Sequence, residues 1–385
     1  MEAQQVSSLK WRFTCVVLIG ALCSIGSIWL SSQSRSVAPE TVPYELDDAH
    51  FHLTNYIQEG TDIHDFLKIM GTKVGRVALF GIPLQQQWSF RVDGNRAPTY
   101  YLNSDAPLYY YSFTDAWIAM AFKSLSRDEQ AHFDPMITGF NPTDMYAVDH
   151  IRRVLQTFPG VFSGIGEFTI HKEFVSSKIS GEVASLEDHA LDRILDFAGD
   201  VGLVVIIHND IDTPFSPNQS DTGSDQPIPQ PVYLSQMQAL IKRHPKTTII
   251  WAHTGVGRVI HPLKGHAAVL ESMLKDPAFS NLNFDISWTE VAKYIVATPE
   301  STQIAANLIN RYPDRFLFGT DEVAPHDQEK YLRIYQMYAP LFRLLNKDAS
   351  EKLRLKNYER LFNQARLKVR SWEKTQGYTG QANPQ

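Results

Sequence analysis

After residue 44, short apolar runs alternate with longer segments of helical periodicity, and this alternation constrains the fold more than any other feature. The runs are rich in valine, isoleucine and phenylalanine, which is typical of buried strands. They predict eight strands at residues 46–53, 74–82, 135–140, 162–168, 204–207, 248–253, 282–286 and 315–319. Strands joined by helical crossovers form βαβ units and therefore a parallel sheet.

The segments between the runs predict the helices. They lie at residues 62–70, 114–124, 186–198, 233–243, 263–274 and 303–311, with a closing helix at 348–372. Because no glycine-rich dinucleotide fingerprint follows the first strand, an open doubly wound sheet is disfavoured. We therefore predict an α/β fold, a (β/α)8 TIM barrel over residues 45–372, followed by a disordered tail at 373–385.

Charge and cysteine content exclude several kinds of site. The formal net charge is −6 and no long run of lysine or arginine occurs, so we expect no nucleic-acid partner. The two cysteines, Cys15 and Cys23, both precede the predicted barrel. The barrel therefore has neither a disulfide nor a thiolate metal site, and histidine and carboxylate chemistry remains.

Residues 13–30 contain no charge and follow Lys10 and Arg12. Eighteen helical residues span roughly 27 Å, close to the thickness of a hydrocarbon core, so this segment predicts a transmembrane anchor. A cleaved signal peptide is the first alternative and a buried helix of the fold the second. The anchor implies a cytoplasmic segment at 1–12, a linker at 31–44, and a catalytic body on the periplasmic or extracellular side, secreted if the segment is cleaved.

Histidines and carboxylates lie at the ends of the predicted strands. His50 and His52 alternate along the first strand, so their side chains share one face. Such a pair is a weak signal alone, because paired histidines also occur on surfaces. The fourth, fifth, sixth and eighth strands end near Glu167, His208, His253 and Asp321. Since strand carboxyl ends converge at one mouth of a barrel, the six side chains predict a site for a divalent metal ion.

The order of these residues resembles the amidohydrolase superfamily, most closely its amidohydrolase-related branch, across the whole predicted barrel. That family has His-x-His on strand one, lysine or glutamate on strand four, histidines on strands five and six, and aspartate on strand eight. The resemblance implies that His50, His52 and Asp321 hold the more buried ion and that His208 and His253 hold the more exposed one.

Glu167 occupies a position where some branches of that family carry a carboxylated lysine and others a glutamate. The resemblance implies that Glu167 bridges or supplements the ligands, and it leaves open whether one ion or two bind. Nitrogen and oxygen donors suit Zn(II) and also manganese, iron or cobalt, and zinc is the default expectation.

The expected reaction is hydrolysis of an ester, lactone, amide or phosphoester by metal-activated water. Asp321 is the candidate to orient the water and accept its proton, and His253 to act as an electrophile if a single ion binds. The partner is then a small-molecule substrate, whereas the oligomeric state is not predicted. A metal-dependent decarboxylase is the main alternative, and a membrane-tethered binding protein without catalysis is the third.

A long aromatic segment after the second strand supplies candidate substrate-binding residues. Trp88 could wall a planar substrate, and Arg91 or Arg96 could bind an anionic group. These aromatic side chains more often pack an insertion onto the barrel, which is the competing interpretation. Trp288, just beyond the seventh strand, is also predicted to bind substrate, while the neighbouring Asp285 has no assigned role.

Overall fold

A computed structural model of the chain describes residues 44–55, 59–82, 86–87, 111–173, 175–177, 184–219 and 230–378. The described strands are β1 (Leu46–His52), β2 (Val74–Phe80), β3 (Gln86–Gln87), β4 (Phe133–Ile137), β5 (Gly164–Lys172), β6 (Val175–Ser177), β7 (Val204–Asn209), β8 (Ile249–Trp251), β9 (Leu282–Asp285), β10 (Phe316–Leu317) and β11 (Glu322–Val323).

The described helices lie between these strands along the chain and after the last of them. They are α1 (Ile63–Met70), α2 (Tyr111–Ser124), α3 (Arg127–Gln130), α4 (Ala147–Thr157), α5 (His189–Val201), α6 (Leu234–Arg243), α7 (His266–Lys275), α8 (Thr289–Ile295), α9 (Pro299–Arg311), α10 (Gln328–Tyr331), α11 (Arg333–Met337), α12 (Ala339–Leu344), α13 (Lys347–Glu351) and α14 (Asn357–Thr375). A π-helical turn, Lys352–Lys356, joins α13 to α14.

The sheet is a parallel ring of the predicted kind. Its order is β10, β9, β8, β7, β5, β4, β2, β1, β11, with β3 and β6 forming an antiparallel extension of β5. β10 pairs with β9 and β11 pairs with β1, so these two short strands together take the eighth position. The chain therefore has a TIM-barrel-like α/β fold, as the alternation of strands and helices predicts.

Alternate residues along a strand belong to different cores. On β7, Val204 and Ile206 join an inner cluster, whereas Val205 and Ile207 join the cluster that packs against the helices. Helix α14 adds Phe362 to the inner cluster. Since Arg366 on α14 donates to Phe133 O at the start of β4, this helix covers the amino ends of the strands. The carboxyl ends remain as the mouth.

Helix α1 shows why the first strand presents its histidines inward. Asp62 caps the helix by accepting from the backbone N–H groups of residues 64 and 65. Phe66, buried on its apolar face, stacks on Phe51 with ring centroids 4.0 Å apart. Because neighbouring side chains on a strand point to opposite faces, His50 and His52 point into the barrel.

Several boundaries differ from those predicted. Helix α4 was not predicted, because its apolar stripe is narrow and the rest of its surface is polar or charged. Strand β8 ends at Trp251, and His253 lies in a following turn with a φ of +57°. Helix α14 continues to Thr375, and buried Glu373 accepts hydrogen bonds from the Gly160 N–H.

The predicted membrane-anchored localisation is wrong. In the part of the chain that the structure describes, no helix has both the length and the apolar character needed to cross a bilayer. Residues 13–30, on which the prediction was based, lie outside that part, as do 1–12 and all but residue 44 of the predicted linker.

Asp47, near the start of β1 and away from the mouth, gives a prediction about stability. Its Oδ1 accepts from Arg76 N at 2.7 Å, and Oδ2 is buried without a hydrogen-bond partner among the described residues. Burial raises the pKa of Asp47 to about 8, against the opposing charge of Arg76. The folded chain therefore holds a proton that the unfolded chain releases near pH 4, and stability from this group is lost as pH rises from about 4 to 8.

Asp47→Asn should remove this pH dependence. The difference in unfolding free energy between variant and wild type should grow by at most about 1.4 kcal/mol per pH unit over that window, in favour of the variant. Urea unfolding at pH 5, 6.5 and 8 measures it. A difference that stays constant with pH would show that the Asp47 pKa is not raised.

Candidate metal centre

Two histidines and one aspartate meet where the first and eighth strand positions are hydrogen-bonded. The rings of His50 and His52 lie 5.4 Å apart on β1. Asp321 lies between β10 and β11 with a φ of +51°, and its backbone N–H donates to His50 O at 2.7 Å. Its Oδ1 lies 3.1 Å from His52 Nε2 and 3.3 Å from His50 Nε2. Donor groups from opposite ends of the barrel sequence thus lie together.

Glu167 connects this group to two further histidines. Its Oε2 lies 3.6 Å from Nε2 of both His50 and His52. Its Oε1 lies 2.6 Å from His208 Nδ1 and 3.3 Å from His253 Nε2. The two oxygens of one carboxylate therefore face two adjacent groups of imidazoles.

The position of Glu167 depends on the glycine before it. Gly166 has a φ of +116°, which side-chain-bearing residues rarely adopt. A Cβ at this position would come within 2.2 Å of Ile206 O on β7. Only glycine lets β5 approach β7 this closely, and that approach brings Glu167 next to His208.

Surrounding polar groups hold the outer nitrogens of two of the histidines. His52 Nδ1 lies 3.2 Å from Gly81 O, a carbonyl that can only accept, so Nδ1 carries the proton and Nε2 faces Asp321. His208 Nε2 lies 3.3 Å from Asp210 Oδ1, which leaves Nδ1 facing Glu167. Contacts of this kind fix the tautomer and ring orientation of metal-ligating histidines.

The cluster is anionic and mostly buried. Burial disfavours ionisation of Glu167, but the Lys172 ammonium and nearby imidazoles outweigh it and hold the pKa of Glu167 well below its usual value. Burial opposes ionisation of Asp321 too, and the neighbouring imidazoles, above all that of His50, hold its pKa well below the usual range. Burial lowers the pKa of His50, yet Glu167 and Asp285 raise it well above normal. The carboxylates thus favour a cation in the space between them.

The donor atoms fit a divalent cation. His50 Nε2 is buried and makes no hydrogen bond in the described part of the chain, although carboxylate oxygens surround it. Buried polar atoms are rarely left without a partner, and an imidazole nitrogen facing carboxylates is a good metal ligand. Donor atoms within 4.8 Å of one another form three groups: His50, His52, Glu167 and Asp321; His50, His253 and Asp285; Glu167, His208 and His253.

Trp288 lies beside the cluster. Its φ is +76°, and its ring centroid is 5.1 Å from that of His253 and 6.3 Å from that of His208. The Lys172 and Arg258 cations lie 5.1 and 5.8 Å from its ring centroid. The other predicted substrate-binding residues, Trp88, Arg91 and Arg96, lie outside the described residues.

Three polar residues of the site have no assigned role in the sequence interpretation. Asp285 and Ser287 contact the rings of His50 and His253, and Asp210 contacts that of His208. All three are buried. Asp210 stands two residues beyond a predicted ligand, and Asp285 stands near the end of a predicted strand, so strand-end position is the signal that could have identified these two aspartates.

Comparison with known proteins tests the predicted family resemblance. A family model described as amidohydrolase matches residues 47–364, from the start of β1 to within α14. The chain belongs to the amidohydrolase family. The predicted resemblance is confirmed, and the protein is an enzyme of the amidohydrolase type whose His, Glu and Asp cluster suits a divalent metal ion.

Solved structures with similar folds have low sequence identity to this amidohydrolase. 2,6-Dihydroxybenzoate decarboxylase from Rhizobium is 12% identical with a TM-score of 0.50, over 83% of this chain and 99% of that chain. A putative 2-pyrone-4,6-dicarboxylic acid hydrolase from Pseudomonas putida is 12% identical with a TM-score of 0.48, over 84% of this chain and 99% of that chain. A search of curated proteins gave no match. The likeness to the Rhizobium enzyme supports the barrel-like fold.

Proposed function

We propose that this amidohydrolase hydrolyses a small ester, lactone, amide or phosphoester, using one or two divalent ions, with zinc as the expected metal. The observation that carries the proposal is the convergence of imidazole and carboxylate donors around the buried, unpaired Nε2 of His50. The residues that would hold the metal are His50, His52, Glu167, His208, His253 and Asp321. A divalent ion supplies Lewis acidity toward the substrate oxygen and lowers the pKa of water.

Asp321 is the proposed proton acceptor. Its pKa is held well below the usual range, as described above, so it is ionised at neutral pH. Its side chain lies within hydrogen-bond distance of His52 and borders the mouth, where a water molecule can reach it. A carboxylate here orients that water and takes its proton as the water attacks the substrate.

His253 and Trp288 are proposed to contact the substrate. His253 Nε2 points toward Glu167 at the inner edge of the mouth. If a single ion binds without His253, a proton added at Nε2 lets the resulting imidazolium polarise a carbonyl. The Trp288 ring, beside His253 and His208, offers an aromatic surface next to the reacting group. Trp88, Arg91 and Arg96 remain proposed substrate-binding residues on the sequence argument alone.

Decarboxylation is the alternative reaction, because the 2,6-dihydroxybenzoate decarboxylase from Rhizobium has a similar fold. A substrate panel distinguishes the two reactions. Turnover of esters, lactones, amides or phosphoesters supports hydrolysis, whereas release of carbon dioxide from aromatic or unsaturated acids supports the alternative.

Metal content tests the proposal directly. Full-length protein purified without chelator should contain at least one divalent ion per chain, and His208→Ala should lower both metal content and activity, because a directly ligating nitrogen is lost. The matched control is His189→Ala, since the His189 side chain is 90% exposed and lies away from the cluster. Elemental analysis that finds no metal in the wild type, or equal metal in His208→Ala, contradicts the proposal.

A further inference from the structure

Asp285, at the end of β9, uses both carboxylate oxygens within the buried site. Its Oδ2 lies 3.1 Å from His50 Nδ1. Its Oδ1 accepts from His253 N at 2.9 Å, from Ser287 N at 3.1 Å and from Ser287 Oγ at 2.5 Å. All four residues are fully buried, so these hydrogen bonds have no competition from solvent.

The donors around Asp285 determine where the imidazole protons lie. A carboxylate can only accept hydrogen bonds, so His50 Nδ1 must carry the proton that lies between it and Asp285. The Ser287 hydroxyl has a single proton, which it donates to Asp285. Its oxygen therefore accepts from His253, whose Nδ1 lies 2.9 Å away and must also be protonated.

Protonation at Nδ1 leaves Nε2 of both rings for the centre of the cluster. His50 Nε2 lies 3.3 Å from Asp321 Oδ1, and His253 Nε2 lies 3.3 Å from Glu167 Oε1. Asp285 thus fixes the tautomer of one histidine beside each oxygen of Glu167. It does so directly for His50 and through Ser287 for His253.

We propose that Asp285 and Ser287 are positioning residues that hold His50 and His253 in the tautomer able to ligate a divalent ion. This inference rests on the proposed function, because it presupposes a metal at the cluster. Asp285 is not itself assigned as a ligand, since its Oδ1 already accepts three hydrogen bonds and its Oδ2 faces the outer nitrogen of His50.

Cobalt binding measures the effect independently of catalysis. Metal-free, full-length wild type and variants are titrated with Co(II) against a competing chelator, and the visible absorption of the bound ion is recorded. Ser287→Ala should weaken Co(II) binding by about 10- to 100-fold, the range expected when a contact that orients a ligating histidine is removed. Asp285→Asn should weaken it further, because an amide has one acceptor oxygen, whereas Asp285 uses one oxygen for His50 and the other for Ser287, which orients His253.

Two further variants separate positioning from general damage. Ser287→Thr keeps the hydroxyl and should restore affinity to within about threefold of wild type. Ser272→Ala, on the exposed face of α7, should leave it unchanged. Wild-type affinity in Ser287→Ala, or failure of Ser287→Thr to restore binding, overturns the inference. Absence of Co(II) binding in the wild type instead overturns the proposed function.

Discussion

Asp321→Asn should lower kcat/KM by about 10²- to 10⁴-fold, the contribution expected of a well-placed proton acceptor. The substitution keeps the shape of the side chain, and the backbone N–H that donates to His50 O is unaffected. It removes the negative charge of Asp321, which the neighbouring imidazoles stabilise. An amide cannot accept a proton from water at neutral pH, so we expect the loss mainly in kcat. Steady-state kinetics on the best substrate of the panel measures it.

Metal content must be measured on the same preparation, because Asp321 also lies with the proposed ligands. The matched control is Glu322→Gln, the next residue, whose carboxylate pairs with Lys330 rather than with a histidine of the cluster. This control should retain wild-type kinetics. If Asp321→Asn binds a full complement of metal and keeps kcat within about threefold of wild type, Asp321 is not the proton acceptor.

The main features of the site could be predicted because barrel geometry is regular. Glu167, His208 and Asp321 are far apart in the sequence, yet each stands near or just beyond the carboxyl end of an apolar run. Parallel strands in a ring bring those ends together whatever the helices between them contain. The alternation of residues along β1 likewise required that His50 and His52 share a face.

Local backbone conformation could not be predicted in the same way. His253 and Trp288 both have positive φ values in turns just after strands, outside the regular pattern that sequence periodicity reports. The link from Asp285 through Ser287 to His253 depends on the exact register of β8 and β9 and on both turns. No spacing in one strand contains that information, so the role of Asp285 and Ser287 in orienting the histidines appears only in the structure.

The localisation prediction failed for a different reason. Hydropathy measures how favourably a segment leaves water, and residues 13–30 have only the minimum length for a span. No fold constraint links that segment to the strand pattern, so the barrel carries no information about where the segment lies. The described residues contain no spanning helix, and the enzyme assignment depends entirely on the barrel.

Glu167→Gln should have the largest effect on metal binding, weakening it by more than about 100-fold. Contacts that only orient a ligating histidine are worth about 10- to 100-fold in metal affinity, whereas Glu167 is itself a proposed ligand. Its Oε2 faces the first group, His50 and His52, and its Oε1 faces the second group, His208 and His253. The four oxygen-to-nitrogen distances range from 2.6 to 3.6 Å. The amide halves the number of oxygen donors from this side chain and removes its charge, so both groups lose the carboxylate that they share.

Thermal and urea unfolding with and without Zn(II) test this prediction, since an ion that binds only the folded chain stabilises it. At a free Zn(II) concentration of about 100 times the wild-type Kd, the wild type should gain about 2.7 kcal/mol and a variant with 100-fold weaker binding about 0.4 kcal/mol. Glu300→Gln, exposed on α9, is the control and should gain as much as wild type. Equal stabilisation of Glu167→Gln and wild type would mean that this carboxylate lies near the ion without holding it. Because His208→Ala removes a donor from one group only, a larger loss in Glu167→Gln than in His208→Ala is the result that a carboxylate shared by both groups requires.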